Sequence, residues 1–126
     1  MIKGIGTDIL EISRVNTIVD NNKFMSTYYT KNENLYIESR SNKSETAAAL
    51  FCAKEAVAKA LGTGFRGFAP KDIEIIHNDK GKPEIILYGK AKEISESMEI
   101  KYFNVSLSHC REYAVAFVTA EGADNQ

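Results

Sequence analysis

Several features are scarce in this chain of 126 residues. It holds two cysteines, Cys52 and Cys110, too few for a disulfide framework or a zinc finger. Positive charge is not in excess: 16 basic residues stand against 17 acidic ones, for a formal net charge of -1. A dedicated nucleic-acid binder needs a basic surplus to neutralise phosphates, so that class is disfavoured. No apolar run is long enough to cross a bilayer. The start, Met1-Ile2-Lys3-Gly4, lacks the basic and then apolar order of a secretory signal. The expectation is a cytoplasmic protein with neither a membrane nor a nucleic acid as partner. No repeat, low-complexity segment or Pro/Gly-rich linker divides the chain, so one domain over 1–126 is expected.

What is present suits an ordinary globular protein, with 44% apolar and 26% charged residues. Ile2 to Leu10 alternates as a strand does, with Lys3, Ile5, Thr7 and Ile9 on one face and Gly4, Gly6, Asp8 and Leu10 on the other. Ser13 can cap a short helix with the stripe Val15, Ile18 and Val19. Thr30 and Glu33 have capping-box spacing, which places a helix start near Lys31. An alanine-rich run predicts a long helix from about Glu45 to Leu61, capped at Ser44 and stopped by Gly62. Asp72 to His77 and Glu84 to Leu87 read as strands joined by the turn Asn78-Asp79-Lys80-Gly81. Ala91, Ile94 and Met98 have helical spacing. Tyr102 to Ser108 and the doubly apolar Glu112 to Ala120 read as a hairpin whose second strand is central. Hairpins outnumber parallel crossovers, so the class is α+β, with a mixed, mostly antiparallel sheet on a long central helix.

Asp8 is the first candidate for chemistry. With no side chain at Gly4 or Gly6, its face has room for a bulky ligand; the plainer alternative is a cap at the turn that follows. Glu55 and Lys59 lie one turn apart on the long helix, the spacing of a surface ion pair worth only about 0.2–0.5 kcal/mol. Yet their helix is otherwise almost wholly apolar, and a charge on a buried helix must meet a partner, a metal or a cleft. Mg²⁺ takes one or two carboxylates together with substrate phosphates and water, and Asp8 with Glu55 can be that pair. Lys59 would then face phosphate oxygens as a point charge. His109, ending a strand, is by itself more often structural. Cys110 beside it points to the opposite face, which argues against a Cys–His nucleophile.

Taken together, Gly4-Ile5-Gly6-Thr7-Asp8-Ile9, Phe51-Cys52-Ala53-Lys54-Glu55-Ala56, Lys59-Ala60-Leu61-Gly62-Thr63-Gly64, Gly81-Lys82-Pro83 and Val105-Ser106-Leu107-Ser108-His109 resemble, in that order, the holo-acyl-carrier-protein synthase family of 4′-phosphopantetheinyl transferases. The resemblance covers nearly the whole chain. It implies that fold and transfer of phosphopantetheine from coenzyme A to a serine of apo acyl carrier protein, with Mg²⁺, in fatty-acid synthesis. Asp8 and Glu55 would ligate the metal and Lys59 the phosphates, with Glu55 as candidate proton acceptor. Gly64, Pro83, Ser108 and His109 would border coenzyme A. Arg14 and Ile18 would meet the acidic carrier, and a homotrimer with shared sites is implied. Leu50 replaces an arginine common in the family, Cys52 an alanine and Cys110 a threonine. Two other classes compete: a non-enzymatic adaptor, which leaves the Asp8, Glu55 and Lys59 trio unexplained, and a Mg²⁺-dependent phosphohydrolase, for which no Walker pattern is present.

Overall fold

A computed structural model describes residues 1–124. Asn125 and Gln126, the end of the expected 1–126 span, lie outside the described residues. Strand β1 (Ile2–Glu11) leads through a 3₁₀ turn at Ile12–Val15 into helices α1 (Asn22–Tyr28), α2 (Lys31–Ser39) and α3 (Lys43–Ala60). A second 3₁₀ turn at Pro70–Asp72 precedes β2 (Ile73–His77) and β3 (Pro83–Leu87). Helix α4 (Gly89–Ser97) and the hairpin β4 (Ile100–His109) and β5 (Tyr113–Gly122) complete the order. The α+β class is borne out, and every pairing is antiparallel. The strands divide into two sheets, β1-β5-β4 and β2-β3, with the doubly apolar β5 central in the first as its pattern predicts.

Helix α3 lies across the inner face of the larger sheet. That face is made of small residues, Ala114, Ala116, Val118 and Ala120 of β5, each fully buried. The helix answers with Ala47, Ala48, Ala53, Ala56 and Ala60. Small side chains on both surfaces let the two backbones approach closely. The approach is tightest at β1, where a Cβ on Gly4 would stand 2.0 Å from the carbonyl oxygen of Ala60, and one on Gly6 1.9 Å from that of Ala56. The space beside these glycines is therefore filled by α3. The sequence reading of it as ligand room is overturned, because only glycine admits a helix backbone at that distance.

Local signals explain most boundaries. The Thr30–Glu33 capping box forms as expected, the Thr30 hydroxyl accepting from Glu33 N and Glu33 Oε1 from Thr30 N. The turn before β3 is held by Asn78, whose Oδ1 accepts from Lys80 N and Lys82 N, each at 2.9 Å. Two caps differ from expectation. Helix α3 starts at Lys43 on the cap Asn42, which accepts from Glu45 N, so Ser44 lies inside it. Ser13 caps nothing: it sits within the first 3₁₀ turn, whose N-cap Glu11 makes no side-chain bond. The stripe Val15, Ile18 and Val19 thus belongs to a turn region, and the regular helix comes later, at Asn22, capped by Asn21.

Candidate active site

Asp8 lies inside β1, opposite Ala116 of β5, on the face turned to α3. Three residues of strand follow it, so the capping alternative fails. Glu55 and Lys59 come from α3, one turn apart, at the crossing with β1. Lys59 Nζ donates to Thr7 O at 2.9 Å and meets Asp8 Oδ1 at 3.3 Å. Among the described residues, Lys59 pairs across to the strand and not with Glu55, so the helix-surface ion pair is not what forms. The side chain of Asp8 is 18% exposed and that of Lys59 53%, which makes the pair an open one. The Tyr28 hydroxyl donates to Glu55 Oε1 at 3.5 Å.

The electrostatics follow from this crowding. Burial, and then the negative charge of Asp8, push the Glu55 carboxyl above its ordinary range, against the opposing pull of Lys59 and of the Tyr28 bond. Two carboxylates near one another, partly dried by the protein, favour an added positive charge. The donors are hard oxygens, and among the described residues no group of three or more His, Cys, Asp or Glu side chains forms a closed cage. That donor set fits Mg²⁺, which completes its shell with substrate oxygens and water. Cys52 sits beneath the site, its thiol donating to Ala114 O at 3.5 Å. Burial, with Asp8 next, pushes this thiol up to about 12, so at neutral pH it is no nucleophile. Cys110 is exposed on the hairpin link.

The other candidates fall into separate places. Pro83 and His109 border a groove of about 360 Å³ with Tyr36, Arg40, Glu45 and His77. Within it His109 Nε2 stands 3.3 Å from Glu45 Oε1, and the rings of Tyr36 and His77 stack at 4.0 Å. Glu45 is ten residues before Glu55 on α3, about 15 Å along the helix axis, so groove and carboxylates are joined by a single rigid element. Ser108 points away from that groove: it pairs with Val115 on the open sheet face. Gly64 lies in the loop after α3 with φ +57 and donates its N–H to Ala58 O. Arg14 and Ile18 both line an apolar cavity of about 290 Å³, with Leu10, Phe24, Tyr29 and Phe51. A wider groove of about 790 Å³ runs between β3 and β4, among Lys82, Lys92 and Tyr102, and shares no residue with the carboxylate site.

The sequence reading missed Tyr28, Glu45, Arg40 and His77. Glu45 stands in the polar first turn of α3, where an acidic residue is ordinary, so its place gave no signal. Nothing in the sequence links position 28 to position 55.

This arrangement can be set beside known proteins. A family model described as the 4′-phosphopantetheinyl transferase superfamily matches residues 4–118. The chain belongs to that superfamily. It is a transferase, as the family is. The holo-acyl-carrier-protein synthase of Clostridium acetobutylicum is 47% identical over 122 residues, covering 96% of this chain and 98% of the relative. The crystal structure of the Neisseria meningitidis synthase superposes with a TM-score of 0.86 at 37% identity, covering 96% of this chain and 99% of that one. A Bacillus anthracis synthase in complex with coenzyme A (3′,5′-ADP) gives 0.81 at 36% identity, covering 98% and 99%.

Proposed function

We propose that the chain, acting as one domain over 1–126, moves the 4′-phosphopantetheine group of coenzyme A to a serine of an apo acyl carrier protein. The observation that carries this reading is the convergence of Asp8, Glu55 and Lys59 at one strand–helix crossing in a chain of this superfamily. In the reaction the serine oxygen bonds to the β-phosphorus. The bond from that phosphorus to the leaving phosphate breaks, and adenosine 3′,5′-bisphosphate departs. Asp8 and Glu55 would hold Mg²⁺. The chemistry it would supply when bound is positive charge against the diphosphate oxygens.

The chain's own groups supply the rest. Lys59 brings a positive charge to the diphosphate oxygens from a fixed place, since Thr7 O anchors its ammonium. Glu55 is the candidate acceptor for the serine proton, because its carboxylate stands at the same strand–helix crossing as Asp8 and Lys59. The glycine loop at Gly64 and the groove with Pro83 and His109 would take the remainder of coenzyme A, with Ser108 reaching it only from the open sheet face. Arg14, beside the apolar cavity that Ile18 lines, would meet an acidic carrier with charge and apolar surface together.

Self-association into a homotrimer fits the open face of the larger sheet, where Ile5, Ile9 and Phe117 are exposed. Light scattering that found an active monomer would end that part of the reading. A cytoplasmic place and a role in fatty-acid synthesis complete it; among the described residues no helix is long and apolar enough to cross a membrane. The deciding experiment is mass spectrometry of an apo carrier protein mixed with this protein, coenzyme A and Mg²⁺. Addition of one phosphopantetheine is expected, and an unchanged carrier mass would refute the transferase reading.

A further inference from the structure

The ring of Tyr28 is held on both faces. Phe24 stacks on one side at 5.3 Å and 9°, Phe51 on the other at 4.9 Å and 10°. Tyr29 meets its edge at 5.1 Å, and the Lys54 ammonium lies 5.9 Å from the ring centre. These contacts account for an aromatic ring at this position, and a phenylalanine would satisfy all of them. They do not account for the hydroxyl. A hydroxyl drawn partly out of water is a cost unless it finds an acceptor. The acceptor here is Glu55 Oε1, at 3.5 Å.

We infer that Tyr28 is a positioning residue for the metal site: its hydroxyl sets the direction of the Glu55 carboxylate toward Asp8. The inference rests on the transferase reading and deepens it. A contact of 3.5 Å is long for an O–H···O bond, so it orients the carboxylate without binding it tightly. The orienting strength comes from the stack, which fixes where the hydroxyl is. The two carboxylates are then served alike by donors from outside the pair, Lys59 on Asp8 and Tyr28 on Glu55. Groups that orient metal-binding carboxylates from behind change affinity by about 10–100-fold when removed, although they never touch the ion.

The test is Tyr28→Phe, which keeps the stack and deletes only the hydroxyl. Mn²⁺ suits the same oxygen donors as Mg²⁺ and can be followed by electron paramagnetic resonance. It is titrated into the protein with coenzyme A present and no carrier, so no turnover occurs, and thermal melting is recorded in parallel. The expected result is Mn²⁺ affinity weakened by about tenfold with unchanged melting. A second variant, Tyr28→Leu, removes the stack as well. It should melt lower and lose at least as much affinity. Wild-type Mn²⁺ affinity in either variant overturns the inference. If the parent protein itself binds no Mn²⁺, the proposed metal site fails instead, and the two failures are thereby told apart.

Discussion

Among the described residues helix α3 carries three lysine–carboxylate pairs; beyond the exposed Lys43–Glu38 pair at its start, those of Lys54 and Lys59 are opposites. Lys54 and Glu33 meet at 2.7 Å with both side chains fully buried. Lys54 also donates to Pro70 O at 2.9 Å and to Ile73 O, while Glu33 accepts from Thr30 N and Ile75 N. Every strong donor and acceptor in that cluster is used, and it ties α2, α3 and the start of β2 together. The Lys59–Asp8 pair is longer, wetter and incomplete. Burial draws the Lys54 amine below its ordinary range, against the pull of Glu33. Even a close ion pair does not fully recover the loss of water. Saturation makes the first pair part of the frame. The second is partly exposed and held by a long contact, which leaves it able to take a ligand.

The comparison is broken most severely at Lys54. Lys54→Met leaves Glu33 charged and buried with no counter-ion, and the expected loss is about 3–5 kcal/mol in urea denaturation. The double variant Glu33→Gln/Lys54→Met removes both charges and should recover part of that loss. A single variant as stable as the parent would show that the buried pair is not structural.

At Lys59 the same substitution should act the other way round. Lys59→Met removes a half-exposed charge, so stability should change by about a few tenths of a kcal/mol. Turnover should fall by roughly a hundredfold, the scale of one lost charge contact in a transition state. Turnover and melting measured on one preparation decide it. Unchanged turnover would return Lys59 to the helix surface.

The third effect is smaller and has a sign that ordinary deletions lack. Glu55 has a folded proton affinity raised above its ordinary 4.5. Its contribution to stability is therefore complete below about pH 4.5 and is lost as pH rises through the folded value. Glu55→Gln carries no charge at any pH and escapes that loss. In metal-free buffer the variant should match the parent near pH 4, exceed it in stability near pH 7, and transfer almost nothing. Equal denaturation midpoints at both pH values, or near-parental transfer, would contradict it.

How far the sequence carried these conclusions depended on whether the signal was local. The capping box at Thr30, the turn at Asn78, the alternation of β1 and the apolar run of β5 each need only neighbours in the chain, and each was readable. Helix α1 was not read, although Phe24, Met25, Tyr28 and Tyr29 have the spacing of one helical face: the segment is only seven residues long, and aromatic residues favour helix weakly. Asp8, Glu55 and Lys59 could be singled out as charges on apolar elements, but their meeting depends on packing between segments some fifty positions apart. Glu33 and Lys54 were visible as residues and not as partners, since the lysine sat unremarked within a family motif. The role of Gly4 and Gly6 was misread for the same reason: what a glycine admits cannot be known until the opposing surface is known.

That opposing surface has a consequence for anyone who wishes to move this chemistry elsewhere. Asp8 stands next in line after Gly4 and Gly6, and Glu55 and Lys59 each adjoin the alanines those glycines touch, Ala56 and Ala60. The separation of the reactive groups is thus dictated by main chain resting on main chain, a gauge with no adjustable part. Copying the acidic and basic side chains onto another scaffold would reproduce their identities and not their spacing. The smallest transplantable unit is the glycine strand and the alanine helix together, and any host must accept both as a single rigid insert.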